Sequence, residues 1–153
     1  MTKDQIRMLA DDPKAFLQMP AVYEKKIKLK EVEMQRYRDL AVGITQTIKP
    51  VVTFTGGPSR KIEQCVTEIV SLEEDIAEEL SAFYQYTVLT KEAIGYIKDG
   101  GLYNVLWARY LCRMSWSRVA EALGCSERWV YRQHAMALEE LRKIAEEKLS
   151  RPF

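Results

Sequence analysis

Residues 114–141 read MSWSRVAEALGCSERWVYRQHAMALEEL, and this stretch predicts two helices joined by a tight turn. Ser115 and Ser126 each precede a helical run, where a serine hydroxyl can accept a hydrogen bond from a backbone N–H of the first turn. Gly124 stands where a left-handed residue commonly ends a helix. Ala120, Gly124 and Val130 have the spacing of a helix-turn-helix. The residue at position 120 is small because the two helices cross closely there. In such a motif the second helix lies in the DNA major groove.

The apolar residues of this stretch recur at helical spacing and predict its core. The first helix is expected to bury Val119, Ala120 and Leu123. The second helix is expected to bury Val130, Ala137, Leu138 and Leu141. Two helices of this length bury too little apolar surface on their own, so we expect a third helix over residues 102–113 (LYNVLWARYLCR). Its predicted inward side chains are Leu102, Val105, Leu106 and Tyr110, with Trp107 as a further candidate. The tryptophans at 107, 116 and 129 are interpreted as core residues rather than stacking platforms, although the last of them lies in the first turn of its helix near the groove side.

Residues 119–141 are similar to region four of sigma-70-type factors, the region that reads a promoter element. The wider chain, from about residue 21 to residue 141, resembles a family of phage-encoded regulators with a sigma-like C-terminal helix-turn-helix (RinA/ArpU-like late regulators). The stretches that carry this resemblance are VVTFTGGPSRKIEQ, IVSLEEDIAEEL, ARYLCRMSW and ERWVYRQHAMAL. The resemblance implies a sequence-specific DNA-binding transcriptional regulator of phage or prophage genes, acting in the cytosol of a bacterial host.

The first turns of the second helix carry the predicted base contacts. The resemblance implies that the major groove is faced by Glu127, Arg128, Tyr131 and Arg132, which also point away from the predicted core. An arginine can hydrogen-bond guanine O6 and N7 together, which discriminates between bases by about 1–3 kcal/mol, so Arg128 and Arg132 are the predicted base readers. Glu127 could accept a hydrogen bond from a cytosine amino group, or it could be favoured there by the helix dipole.

Other polar residues of this region are predicted to contact phosphate. Ser117 and Arg118 lie early in the first helix of the pair, where contact with phosphate would position the protein without reading sequence. Arg113 and Arg109 are further phosphate candidates. Residues 107–138 contain five arginines and two glutamates, so this region is basic although the formal net charge of the chain is +1.

Three features depart from the sigma pattern. Tyr131 and Arg132 stand where an arginine followed by a glutamine is expected, so the DNA target need not be a standard promoter element. Gln133 occupies a position where an aliphatic residue usually packs. The sigma regions that bind core polymerase are absent, and helices of a different pattern stand in their place. A complete sigma factor is therefore not expected.

Two long helices with heptad patterns are predicted ahead of this unit, because their apolar positions alternate by steps of four and three. In residues 21–49 these positions are Tyr23, Ile27, Lys30, Met34, Tyr37, Ala41, Ile44 and Ile48. In residues 60–98 they are Ile62, Val66, Ile69, Glu73, Ile76, Leu80, Phe83, Thr87, Thr90, Ile94 and Ile97. Residues 50–59 (PVVTFTGGPS) contain two prolines and two glycines and predict a connecting loop.

Charge supports pairing of these two helices as an antiparallel hairpin. The first helix is rich in lysine and arginine, whereas residues 62–90 contain seven acids and no lysine or arginine. Exposed ion pairs stabilise little, so their expected role is to select partner and orientation. The predicted chain is all-α. It has a mobile or partner-dependent segment with short helices at 1–20, a long coiled-coil-like hairpin at 21–99, and a three-helix, sigma-region-four-like helix-turn-helix domain at 100–153. In the first segment Thr2 and Gln5 fit a capping box, and Asp12-Pro13 fits a second helix start that Pro20 closes.

Several function classes lack support in the sequence. The three cysteines are widely spaced, so neither a metal site nor a disulfide framework is expected. No cofactor motif and no nucleophile–base pairing occurs, so an enzyme is not expected. No segment has the length and apolarity of a membrane span, and the signature of a signal peptide is absent. His134, the one histidine, is predicted to be packed or to face phosphate.

Double-stranded DNA is the expected partner, and the hairpin would mediate self-association or contact RNA polymerase. An alternative from another class is a DNA-packaging factor of the terminase small-subunit type, which also joins a helix-turn-helix to an oligomerising helical part. A third alternative is an adaptor that uses the helix-turn-helix for protein contacts only. Ring-like oligomers would favour the packaging factor, whereas a monomer or dimer bound upstream of a gene would favour the regulator.

Overall fold

The computed structural model describes residues 1–47 and 57–151, and within these ranges every regular element is a helix. The helices are α1 (Lys3–Asp11), α2 (Pro13–Thr47), α3 (Gly57–Gly95), α4 (Gly100–Leu106), α5 (Trp116–Leu123) and α6 (Glu127–Ser150), with a π-helical turn (Trp107–Leu111) continuing α4. The predicted all-α class is confirmed for this part of the chain. No helix in these two ranges combines the length and the apolar character of a membrane span.

The helices divide into two compact units. One unit contains residues 1–20 together with 84–153, and the other contains residues 21–83. The sequence-based division differed, because it set residues 1–20 apart and began the C-terminal domain at residue 100. The reason is packing: the end of α3 buries Leu89, Ala93 and Ile94 in the same core cluster as the C-terminal helices.

The N-terminal segment is part of that core. Thr2 caps α1 in a capping box with Gln5, because each side chain accepts a hydrogen bond from the other residue's backbone N–H. The capping box was predicted and is confirmed. The segment buries Ile6, Leu9, Ala10, Phe16 and Leu17 in one cluster with Ala137, Leu141 and Ala145 of α6. The expectation of a mobile or partner-dependent N-terminus is therefore wrong.

Several helix boundaries differ from the prediction. The predicted helix start at Asp12-Pro13 is confirmed, because α2 begins at Pro13 and the Asp12 carboxylate accepts a hydrogen bond from the Ala15 N–H at 3.0 Å. The predicted end at Pro20 is wrong, because α2 continues through this residue. Pro20 lacks an N–H, so its turn loses one backbone hydrogen bond without ending the helix. α3 ends at Gly95, and Asp99 instead caps α4 by accepting from the Leu102 N–H at 3.0 Å. The predicted connector and its VVTFT run fall mostly outside the described residues, and α3 already begins at Gly57.

On α2 the predicted heptad coincides with the half-buried face from Tyr23 to Ile44, and its last predicted member, Ile48, lies outside the described residues. Its half-buried members are Tyr23, Ile27, Lys30, Met34, Tyr37, Ala41 and Ile44. On α3 the predicted set was partly wrong: Val66, Glu73 and Leu80 are exposed, and the buried or half-buried residues are Ile62, Cys65, Ile69, Leu72, Ile76 and Glu79. α3 carries two neighbouring apolar stripes, and a 3.6-residue period cannot decide which of them faces α2.

Ion pairs connect α2 and α3. Lys30 pairs with Glu79 and lies 3.9 Å (Nζ to Oδ2) from Asp75, whereas Arg38 lies 3.8 Å (Nη2 to Oε1) from Glu73. The hydrogen bond to Glu79 raises the pKa of Lys30. On α3, the side chain that faces α2 is therefore Glu79, whereas the adjacent Leu80 is exposed. Opposite charges on the two helices were predicted, and these contacts join them.

A second, smaller core cluster holds α4, α5 and α6 together. It contains Val105, Ala108, Val119, Ala120 and Val130. The predicted inward residues of this region are buried as expected, except that Leu123 and Leu138 are half-buried. The third helix expected from residues 102–113 is present as α4 and its π-helical continuation.

The turn between α5 and α6 depends on one glycine. Gly124 has φ 67° and ψ 38°, the left-handed conformation expected for it, and an added Cβ would meet nothing within 4 Å. We expect Gly124→Ala to destabilise the fold by about 1 kcal/mol, because the cost comes from the backbone alone. Gly95→Ala is the matched control, since Gly95 also has open space but no positive φ. Urea unfolding of both variants would measure the difference, and equal midpoints would contradict the prediction.

Candidate nucleic-acid interface

α5, the turn and the start of α6 form a short, firmly capped unit. The Ser115 hydroxyl accepts a hydrogen bond from the Arg118 N–H at 3.3 Å, and the Ser126 hydroxyl accepts from the Trp129 N–H at 3.2 Å. The Cys125 N–H donates to the Ala120 carbonyl at 3.0 Å across the turn. Both predicted serine caps are confirmed. The start of α6 is therefore fixed relative to α5 by its backbone.

The four predicted base-contacting residues lie together on exposed surface. Glu127, Arg128, Tyr131 and Arg132 occupy the first two turns of α6, and all four side chains are exposed. The buried residues of the same turns are Val130, His134 and Ala137, on the other side of the helix. An arrangement of this kind presents arginine guanidinium groups on a single rigid helix face, as base recognition in a groove requires.

The predicted phosphate contacts divide into two groups. Ser117 and Arg118 are exposed in the first turn of α5, and Arg113 is exposed just before it with φ 60°. Arg109 is half-buried: its guanidinium lies 4.3 Å from the centre of the Trp116 ring, and its Nη1 donates to the Met114 carbonyl at 2.8 Å. We therefore assign Arg109 to holding Trp116 in place, while Ser117, Arg118 and Arg113 stay predicted phosphate contacts.

Tyr131 rests on the aromatic residue that Arg109 supports. The Tyr131 and Trp116 ring centroids are 5.1 Å apart, and the Trp116 ring also meets the His134 ring edge-on at 4.6 Å. Sequence reasoning treated the three tryptophans as core residues and did not find this stack. The contact couples the orientation of a predicted base-contacting side chain to the first turn of α5.

Apolar surface lies next to the exposed arginines. Trp129 is 37% exposed and Met136 is 52% exposed, and both belong to the first half of α6. Core burial was the expected role of tryptophans here, so Trp129 departs from it. An apolar side chain in this position could contact the methyl group of thymine in a major groove.

A buried polar pair lies beneath this face. The Tyr110 hydroxyl and His134 Nε2 are 2.6 Å apart, and both residues are buried. Burial, with smaller contributions from the positive charges of Lys14 and Arg109, lowers the pKa of His134 to about 4. Burial raises the pKa of Tyr110 to about 12. His134 is therefore neutral near pH 7, and a hydrogen bond joins its Nε2 to the Tyr110 hydroxyl. The packed role predicted for His134 is confirmed, whereas its tyrosine partner was missed.

This pair predicts a specific pH dependence of stability. Because the folded-state pKa of His134 is about 4 and the unfolded value is near 6.5, the unfolded chain binds the proton more readily between these values. The stability contributed by neutral His134 is therefore complete above pH 6.5 and is lost as the pH falls towards 4. We expect urea midpoints to fall between pH 7 and pH 5 in the wild type, and to change much less in His134→Gln. An equal fall in both proteins would contradict the assignment.

Comparison with known proteins identifies a family. A family model described as "Protein of unknown function (DUF1492)" matches residues 45–142, which are 98 of the 153 residues. No curated protein and no solved structure matches the chain. The matched range contains α3, α4, α5 and the half of α6 that carries the candidate interface.

Proposed function

We propose that this chain, which belongs to the family described as "Protein of unknown function (DUF1492)", is a sequence-specific DNA-binding transcriptional regulator of phage or prophage genes. The main support for this proposal is the exposed face of α6. Its first two turns, which follow the Ser126 cap, carry the exposed side chains of Glu127, Arg128, Tyr131 and Arg132. In this proposal α4, α5 and α6 form a sigma-region-four-like helix-turn-helix domain. The protein would act in the cytosol of a bacterial host.

Recognition would divide between the two helices. Arg128 and Arg132 would each bind a guanine through O6 and N7, and Glu127 would accept a hydrogen bond from a cytosine amino group. At the start of α5, Ser117 and Arg118 would contact phosphate, where the helix dipole also favours a negative charge. These phosphate contacts orient α6 in the groove but do not select a sequence.

We further infer that α2 and α3 pair as an antiparallel coiled-coil hairpin. The ion pairs support this arrangement, because the later residue on α2, Arg38, meets the earlier acid on α3, Glu73, whereas Lys30 meets Asp75 and Glu79. In the proposed function this hairpin mediates self-association or contacts RNA polymerase. In either role, the proposed DNA-binding helix α6 would be part of a larger assembly, formed with further copies of this chain or with RNA polymerase.

One observation also favours the alternative of a DNA-packaging factor of the terminase small-subunit type. The long helices expose large hydrophobic side chains, among them Leu29 at 71% and Val32 at 68%. Such surface suits an oligomerising helical part. Oligomer size distinguishes the two functions, since a ring that binds a packaging-start sequence indicates the packaging factor.

A binding selection tests the proposed function. Random duplexes would be selected on the purified protein, and the enriched sequence would be titrated by fluorescence anisotropy at several salt concentrations. We expect one enriched sequence, tight binding, and a linear fall of log affinity with log salt, because arginines release counterions from phosphates. If no sequence is enriched and binding stays at the non-specific level, the proposal is wrong and the protein-only adaptor is favoured.

A further inference from the structure

The unit formed by residues 21–83 buries little apolar surface. Among its described residues, the buried hydrophobic side chains are Cys65 and Leu72. Its exposed large hydrophobics are far more numerous: Val22, Leu29, Val32, Leu40, Val42, Val66, Val70 and Leu80. A pair of long helices with so small a core needs further burial to be stable. The pattern of the exposed residues indicates what supplies it.

α3 carries an exposed apolar stripe beside the face that it turns towards α2. Its members are Val66, Val70, Glu73, Ala77 and Leu80, all of them exposed. They follow one another at steps of four, three, four and three, which keeps them in line on a helix. We call this the α3 outer stripe. It has one charged residue, an acid, at its centre.

α2 carries a matching stripe of the same length. Its members are Leu29, Val32, Arg36, Leu40 and Gly43, which are also exposed. Four of them, from Val32 to Gly43, line one side of a shallow and mainly apolar groove. We call this the α2 outer stripe. It too has one charged residue at its centre, and that residue is basic.

We propose that the α2 outer stripe of one molecule packs antiparallel on the α3 outer stripe of a second copy of this chain. Setting Arg36 opposite Glu73 brings the other members together as apolar pairs: Leu29 with Leu80, Val32 with Ala77, Leu40 with Val70, and Gly43 with Val66. Each stripe spans about 21 Å at 1.5 Å per residue. The central ion pair fixes the register, because a shift by one turn would place a charge against an aliphatic side chain.

The two stripes lie on opposite faces of the proposed hairpin. Glu73 meets Arg38 of its own chain at 3.8 Å, so Arg38 lies on the side of the α3 outer stripe. Arg36 is two residues earlier, about 200° around the helix, and therefore faces the other side. A contact between unlike faces is heterologous, so repeated association closes into a ring or continues as a chain of molecules.

This inference rests on the proposed hairpin but not on DNA binding by α6. Neither stripe includes a residue of the candidate nucleic-acid interface, so the two proposals fail independently. Loss of the far-ultraviolet helical signal in a stripe variant would report a damaged hairpin. Loss of association with that signal intact would report the interface alone.

Sedimentation velocity of charge-reversed variants tests the interface. Wild type should form oligomers larger than a monomer, and Arg36→Glu and Glu73→Arg should each associate about tenfold or more weakly, because like charges then face each other. An equimolar mixture of the two variants should restore association, since opposite charges again meet at every interface when the two variants alternate. Lys28→Glu is the matched control: it makes the same charge change on α2 outside the stripe and should leave association unchanged.

Three outcomes would overturn the proposal. The first is a wild type that sediments as a monomer at every concentration. The second is an oligomer that Arg36→Glu leaves unchanged, which would assign association to another surface. The third is a mixture of the two variants that associates no more tightly than either variant alone, although both retain their helical signal.

Discussion

Arg128→Ala/Arg132→Ala is expected to remove most of the preference for the selected DNA sequence over a random duplex. Each arginine that hydrogen-bonds guanine O6 and N7 contributes about 1–3 kcal/mol of discrimination, so the double variant should lose about a hundredfold or more in preference. Binding to random DNA should weaken less, because phosphate contacts from α5 remain. Fluorescence anisotropy with both duplexes at one salt concentration measures the ratio.

Arg142→Ala supplies a control on the same helix. Arg142 lies further along α6 and pairs with Glu139 at 2.6 Å (Nη2 to Oε1), so its removal changes the charge but not the proposed reading face. It should keep the sequence preference of the wild type. Arg142→Ala and the double variant would lose equal amounts of sequence preference if the loss came only from weaker electrostatic attraction to DNA. In that case the assignment of Arg128 and Arg132 as base readers is wrong.

Phe16→Ala should destabilise the unit formed by residues 1–20 and 84–153, although residue 16 lies far in sequence from the helices that it packs against. Phe16 is 2% exposed and belongs to the core cluster that contains Ala137 and Leu141 of α6. Removing a buried phenylalanine side chain costs about 3–5 kcal/mol, which is a large part of the stability of a domain of this size. Urea unfolding followed by tryptophan fluorescence measures the loss, because all three tryptophans lie in this unit.

Met8→Ala is the matched control for this prediction. Met8 lies in α1 but is 44% exposed, so its truncation should cost well under 1 kcal/mol. The two results together test whether the N-terminal segment is structural. A change of less than about 1 kcal/mol in Phe16→Ala, within the range of surface substitutions, would contradict the packing described here.

The local features of the C-terminal unit could be predicted because they depend on few residues. Ser115 and Ser126 cap helices, Gly124 adopts the left-handed conformation, and Val130 is buried, as the sequence predicted. Each of these follows from the chemistry of one side chain or from spacing within one helix. For the same reason the exposed face with Arg128 and its neighbours could be located, since it is the side opposite the apolar one.

Features that depend on a partner far along the chain could not be predicted. α3 has two apolar stripes with helical spacing, one that contains Cys65 and one that contains Val66. Packing against α2, where Lys30 pairs with Glu79, decides that the first of them is buried. The hydrogen bond between Tyr110 and His134 joins residues 24 positions apart on different helices. The docking of the first twenty residues likewise depends on the apolar surface of α6, which has no signature in the N-terminal segment itself.

A double-mutant cycle with 7-deazaguanine tests whether Arg128 and Arg132 read guanines in the major groove. This base lacks the N7 acceptor but keeps O6, so it removes one of the two hydrogen bonds that an arginine makes to guanine in the major groove, while base pairing is retained. We expect replacement of the guanines of the selected site to weaken binding of the wild type, although by less than Arg128→Ala/Arg132→Ala does, and to cost the double variant nothing further. If the replacement leaves wild-type affinity unchanged, or costs the wild type and the variant equally, α6 does not read these bases and the proposed function is contradicted.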